Sequence, residues 1–374
     1  MKALIIGGTG PTGPHLIDGL VDRGYEVTIF HRGVHEPPGL DQIEHIHGDP
    51  HFKETVSDAL GSSDFDIVLA MYGRVRFIAE VLADRCAHFV AVGGAPTYAG
   101  YNEPRLVRPF GLPNPVREDA RLSPSLDEDE MPSIRFGKLM AQTEQIVFDF
   151  HPRATYFRYP VIYGPRNPAP WEWSVIKRVQ DRRPFMILPD NGMSIHCRAA
   201  AKNAAAMVLA ALDKPDAAAG RVYNVADELQ FTLRQWVEVI LDVLEADLEL
   251  IGIPSEIAKE AHAALMPMMT PLSPHSIFDT TLARTELGYR DVVDPFSALA
   301  ESVRWYADHP VDLETVNPSY TDRFHYDTED RLVEAYRKAV VAVAAAVDQW
   351  LPEALHGMPH PKEPGLRTAD NKGR

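Results

Sequence analysis

Short apolar runs alternate along this chain with segments whose apolar residues recur at helical spacing. Lys2-Ala3-Leu4-Ile5-Ile6 is apolar nearly throughout, the pattern of a strand buried on both faces. Residues 14–21 then place Leu16, Ile17, Leu20 and Val21 on one helical face, and Tyr25-Glu26-Val27-Thr28-Ile29-Phe30 reads as a second strand. Residues 66–70 and 88–92 predict further buried strands, with a helical pattern at 75–82 between them. A helix is predicted over 133–150 and a strand over 154–158. Strands alternating with helices imply a parallel sheet covered on both sides. Beyond about residue 165 the pattern changes, with a helix starting at Trp171, a strand at 221–225 and a helix at 233–244 capped by Thr232. A last helix is predicted near 329–350, with a polar, disordered stretch from His360 onward.

The turn between the first strand and the first helix is Gly7-Gly8-Thr9-Gly10-Pro11-Thr12-Gly13. Glycines there let the chain turn tightly and let backbone N–H groups approach a pyrophosphate, which the helix N-terminus favours electrostatically. Strand, glycine turn, helix and second strand together predict a dinucleotide-binding βαβ unit. The expected fold class is therefore α/β, a Rossmann doubly wound parallel sheet. We place it at 1–165, with some later elements returning to it; a smaller substrate lobe spans mainly 166–310, and a helical extension with a disordered tail spans 311–374. The second strand ends not in the acid of a typical NAD site but in His31-Arg32-Gly33. A guanidinium at that position grips a 2′-phosphate, so NADP(H) is expected over NAD(H).

Composition narrows the partners. The 374 residues carry a formal charge of −16, which disfavours binding to nucleic acid or to an anionic membrane. No apolar stretch is long enough to span a bilayer, and Met1 leads directly into the first strand, so the expectation is a soluble, cytoplasmic protein without a signal peptide. Two cysteines, Cys86 and Cys197, are too few for a disulfide framework. Residues 95–131 are irregular and proline-rich, a long connection where the carboxyl ends of parallel strands bind ligands. Met266, Met268 and Met269 suit flexible core filling or an adaptable apolar pocket.

Five segments in order resemble the extended or atypical short-chain dehydrogenases/reductases, the NAD-dependent epimerase/dehydratase-like group. They are the glycine turn, Gly48-Asp49, RYPVIYGPRN from Arg158, YNVADELQFTLRQW from Tyr223, and FDTTLARTELGY from Phe278. The resemblance covers roughly residues 1 to 308 and implies cofactor contacts from Gly7, Thr9, Gly10, Pro11, Thr12, Gly13 and Arg32. It also implies that Asp49 lies beside the adenine, with Ala70, Met71 and Tyr72 along the ribose and pyrophosphate. Tyr159, Val161 and Ile162 would lie beside the nicotinamide. Members of this group use a Tyr four residues before a Lys, assisted by a strand-end Ser or Thr. Here the lysine is Lys138, but Ile134 stands at the tyrosine position and Gly93-Gly94 stand where the hydroxyl is expected.

Several residues are candidates for the missing chemistry. Tyr98 lies just past the fifth strand and is the favoured donor, with Thr97 beside it and Lys138 on the nicotinamide ribose. Tyr98, Tyr163, Arg166, Trp171, Trp173 and His196 are candidates for the substrate side, and Tyr72 and Tyr101 are further tyrosines in loops near the cofactor. His45, His47 and His51 lack a Glu/Cys set at ligand spacing, so no metal site is assigned. The leading expectation is an NADP(H)-dependent oxidoreductase reducing a carbonyl or activated double bond of a small organic molecule, with a homodimer compatible with it. The alternatives are a sugar-nucleotide epimerase or dehydratase retaining its cofactor, and a non-enzymatic NADP(H) sensor.

Overall fold

Strand β1 (Lys2–Ile6) sends Ala3 and Ile5 into one apolar core and Leu4 and Ile6 into another, all fully buried. Side chains alternate across a strand, so two cores on one strand require helices on both faces of the sheet. The computed structural model describes residues 1–33, 39–40, 42–125, 131–258, 274–312, 322 and 324–346. Its strands continue with β2 (Glu26–His31), β3 (Glu44–His47), β4 (Phe65–Ala70), β5 (Cys86–Gly94), β6 (Thr155–Tyr159) and β7 (Val161–Tyr163). They end with β8 (Phe185–Pro189), β9 (Arg198–Ala200), β10 (Arg221–Asn224) and β11 (Glu249–Ile253).

Seven of these strands form one parallel sheet in the order β10-β6-β5-β4-β1-β2-β3. The strand order reverses between β1 and β4, which opens a crevice at their carboxyl ends. Helices α1 (Gly13–Asp22), α2 (Lys53–Leu60), α3 (Val75–Val81) and α4 (Pro132–Phe150) precede α5 (Glu172–Gln180) and α6 (Ala201–Leu212). One face is covered by α1 and α6 through Leu16, Leu20, Val208 and Leu212; α2, α3 and α4 cover the other through Val56, Leu60, Ile78 and Val147. At Gly19 a Cβ would lie 2.2 Å from Cδ1 of Leu209, so glycine lets α1 and α6 approach closely.

After α7 (Pro215–Ala218), the chain returns to the sheet edge as β10, then leaves it for α8 (Leu233–Val243), α9 (Ser255–Ala258), α10 (Thr281–Glu286) and α11 (Pro295–Asp308). Trp171, Trp236, Leu188, Val237, Leu299 and Tyr306 build a separate core from α5, α8, α11 and the two-stranded pair β8–β11. Thr232 caps α8 as expected: its hydroxyl accepts from the N–H of Gln235 (3.1 Å), and Gln235 returns a side-chain bond to its N–H (3.0 Å). Arg178 on α5 is buried between Asp322 (2.6 Å) and Glu329; removing one acid would cost about 3–5 kcal/mol by stranding a buried charge.

The main body runs from Met1 to Glu329, and a C-terminal piece comprises Asp330–Arg374. Helix α12 (Tyr326–Ala346) ends the description. The expected disordered tail and Met266, Met268 and Met269 lie outside the described residues. Among the described residues, no helix is long and apolar enough to cross a membrane.

Candidate functional site

At two positions of the glycine turn a side chain has no room. A Cβ on Gly13 would sit 1.8 Å from the carbonyl oxygen of Gly8, and Gly7 has φ +104 with Cβ of Tyr72 only 2.9 Å from its own Cβ position. Gly10, by contrast, faces open space, with nothing within 4 Å of its Cβ position. Thr9, Gly10 and Pro11 are half-buried, Thr12 is the helix N-cap, and no side chain caps the N-terminus of α1. Uncapped backbone N–H groups facing an open cradle at the sheet's switch point suit a pyrophosphate. On that observation the residues present fit the dinucleotide that the fold implies.

Arg32 follows β2 and is exposed, its guanidinium 5.9 Å from the ring centroid of Tyr72 and donating to the Tyr72 hydroxyl at 3.4 Å. Tyr72 follows Ala70 and Met71 at the end of β4, so the structure brings these expected residues together across β1. Asp49 accepts from the N–H of His51 (2.9 Å) and pairs with its Nδ1 (2.8 Å), which holds its carboxyl below the ordinary range. Gly48 is tight because a Cβ there would lie 2.6 Å from the ring of Phe30.

The histidines cluster differently from expectation. His31 pairs in register with His47 across β2 and β3, and His45 shares the face of His47, so the trio is His31, His45 and His47 rather than one containing His51. Their hydrogen bonds form a relay. The N–H of Gly33 donates to Nδ1 of His31 (3.1 Å), leaving its Nε2 to donate to Nδ1 of His45 (2.7 Å). His45 Nε2 in turn donates to the carbonyl of Leu40 (3.0 Å). In that pattern the nitrogens of His31 and His45 are already used, and an ion would have to break the relay.

Past β5 the chain forms a tight turn at Ala95–Thr97, and α4 docks on it through Gly137, where a Cβ would lie 2.4 Å from the carbonyl of Pro96. This packing brings the α4 turn carrying half-buried Lys138 against the segment of Thr97. The Thr97 hydroxyl is buried without a partner among the described residues. Ile134, one helical turn earlier, is buried against Ala99 and Val107. Gly93 has its own reason to be glycine: the hydroxyl of Tyr156 on β6 lies 2.2 Å from its Cβ position. Tyr159, expected at the nicotinamide with Val161 and Ile162, packs on the α1–α6 core, its hydroxyl buried without a partner among the described residues.

Tyr98 departs from the expectation of a donor facing the pocket. It is 1% exposed, donates to Oδ1 of Asn224 (2.6 Å) and accepts from Nη1 of Arg158 (2.9 Å). Arg158 is clamped by Glu144 through Nε (2.9 Å) and Nη2 (2.6 Å). Burial pushes the Tyr98 hydroxyl up to about 12, so a proton moves from it reluctantly at neutral pH. Its loop position was legible; its partner on β10, far along the chain, was not.

In the lobe, Tyr163 is also internal, donating to Oδ2 of Asp227 (2.7 Å), and Arg166 sits half-buried with φ +66. Trp173 is buried in the lobe core. Trp171 and His196, both expected on the substrate side, do come together, with ring centroids 6.2 Å apart. Beside Trp171 the structure adds Arg198, whose guanidinium lies 4.9 Å from the Trp171 and Trp236 rings. One signal for Arg198 was available: it is a lone charge inside the run Ile195 to Ala201, which also holds His196 and Cys197.

The chain's structure resembles UDP-glucose 4-epimerase from Thermotoga maritima with a TM-score of 0.64, at 17% identity over 83% of this chain and 99% of that one. It also resembles the NAD complex of the Bordetella bronchiseptica enzyme WbmG (0.60, 17%, 87% and 96%). A third likeness is dTDP-glucose 4,6-dehydratase from Bacillus anthracis in complex with NAD (0.61, 14%, 83% and 97%). The likeness shows a shared fold, the one these three proteins have in common. A curated relative, the chloroplast stem-loop binding protein of 41 kDa b from Arabidopsis thaliana, is 26% identical over 62% of this chain. The match spans 60% of that relative's length. No family model matches the chain.

Proposed function

We propose that this chain is an NADP(H)-dependent oxidoreductase that reduces a carbonyl or an activated carbon–carbon double bond of a small organic molecule. The observation that carries the reading is the glycine cradle, closed to any side chain at Gly13 and open at Gly10, with Arg32 at the end of β2. The bound cofactor supplies the hydride. The chain's own part is to hold it: backbone N–H groups at the start of α1 take the pyrophosphate, and Arg32, with no acid at the end of β2, takes the 2′-phosphate. Lys138 is assigned to the nicotinamide ribose, and Thr97, with its unpartnered hydroxyl, is the candidate to polarise the substrate.

A second reading, an epimerase or dehydratase that keeps its cofactor through a turnover, draws on the named activities of the similar structures. It asks for a positioned base to oxidise an alcohol, and Ile134 supplies none. The stem-loop binding relative raises nucleic acid as a ligand, and the charge of −16 opposes it. The deciding experiment titrates the protein with NADPH and NADH. Tighter NADPH binding that Arg32→Ala erases supports the proposal; tighter NADH binding by the unmodified protein overturns its cofactor half. Turnover of a UDP-sugar without net consumption of nicotinamide would move the assignment to the second reading.

A further inference from the structure

Arg198 is 3% exposed, yet its Nε and Nη2 have no hydrogen-bond partner among the described residues. Its remaining nitrogen, Nη1, donates to the carbonyl of His196 at 3.2 Å. The two unpaired nitrogens form one edge of the guanidinium, the edge whose parallel N–H groups match the two oxygens of a carboxylate. The same chain shows twice what that edge takes. Arg158 uses it to hold both oxygens of Glu144 (2.9 and 2.6 Å), and Arg23 uses it to hold both oxygens of Asp213 (2.7 and 2.6 Å). Arg198 has the fork and lacks the acid.

The guanidinium lies 4.9 Å from the centroids of both Trp171 and Trp236, and among the described residues the indole N–H of each ring is buried without an acceptor. Glu172 is the leading charge acting on Arg198, but one of its oxygens accepts from the hydroxyl of Ser302 (2.6 Å), the other is buried without a partner, and among the described residues no ion pair joins it to Arg198. Buried unpaired donors are costly, the more so when charged, so a group of them with no acceptor within hydrogen-bond reach points to a ligand that brings one. Burial draws the Arg198 guanidinium down, against the opposing pull of Glu172, to about 10, which still leaves it charged at neutral pH.

We propose that Arg198, held between Trp171 and Trp236, is a subsite for an anionic group with two coplanar oxygens: the carboxylate or the phosphate of the small-molecule substrate. This rests on the reading of the lobe as the substrate side. It deepens that reading by naming the charge the substrate carries. The two rings stand nearly perpendicular to one another (86°) beside the guanidinium, and their faces favour its positive charge.

The test uses the full chain and its own tryptophans as reporters. Acetate, malonate and inorganic phosphate are titrated separately at constant ionic strength against chloride while tryptophan fluorescence is followed. A saturable response to at least one of them, weakened roughly tenfold or more in Arg198→Lys, is expected, because lysine keeps the charge and loses the fork. A response to the carboxylates assigns a carboxylate substrate; a response to phosphate alone assigns a phosphorylated one. Arg198→Gln should abolish the response, and Arg198→Lys serves if the glutamine variant does not fold. No saturable response in the wild type, or an unchanged one in Arg198→Lys, overturns the proposal. NADPH titration of the same samples keeps the two readings apart: an anion response without NADPH binding sinks the oxidoreductase and leaves this subsite standing.

Discussion

The hydroxyl of Tyr156 occupies the space that a side chain on Gly93 would need, 2.2 Å from the glycine's Cβ position. The end of β5 therefore lacks a serine or threonine for a packing reason: β6 has filled the place from the neighbouring strand. Gly93→Ser should destabilise the protein by about 1–3 kcal/mol through overpacking, read from urea unfolding. Combining it with Tyr156→Leu, which removes the ring, should recover part of the loss. Equal stability of Gly93→Ser and wild type would show that the strand end can accept a hydroxyl.

Tyr98→Phe keeps the ring and strands Oδ1 of Asn224 without the hydroxyl it accepts from. We expect a stability loss of about 1–3 kcal/mol with NADPH affinity unchanged. Lost turnover at unchanged stability would return Tyr98 to the role of proton donor.

The fold was legible because its elements announce themselves locally. The run Lys2 to Ile6 can only be a strand buried on both faces, and Gly7 to Gly13 has one common structural use. Strand β3 escaped notice because Glu44-His45-Ile46-His47 carries a single aliphatic residue. The glycine cradle was legible for the same local reason. The surroundings of Tyr98 and Arg198 were not. Tyr98 is tied to Asn224, 126 positions away, and Arg198 is defined by Trp171 and Trp236, which no spacing rule connects.

Lys138 occupies the α4 turn that packs on the Ala95–Thr97 segment. With Lys138 on the nicotinamide ribose, Lys138→Ala weakens NADPH binding and lowers turnover together. Abolished turnover at unchanged NADPH affinity would assign the ammonium to the substrate instead. Wild-type behaviour in both measurements would remove it from the site.

Asp227 ties the lobe to α6, and its ionisation gives the protein a readable pH dependence. The carboxylate is 4% exposed and accepts from the Tyr163 hydroxyl (2.7 Å), the N–H of Ala200 (3.0 Å) and the side-chain amide of Asn203 (2.8 Å). Burial outweighs these donors and raises its pKa to about 7. In the unfolded chain an aspartate titrates near ~3.9. Between those values the folded protein binds the extra proton, so this group's contribution to stability falls as pH rises from about 4 to 7 and levels off above. Asp227→Asn cannot ionise and has no such slope, whatever constant offset its amide introduces. The stability of wild type minus that of Asp227→Asn, from urea unfolding at a series of pH values, should therefore decline across that window. A difference that stays flat from pH 4 to 8 would mean that Asp227 is ionised throughout, its three donors having prevailed over burial.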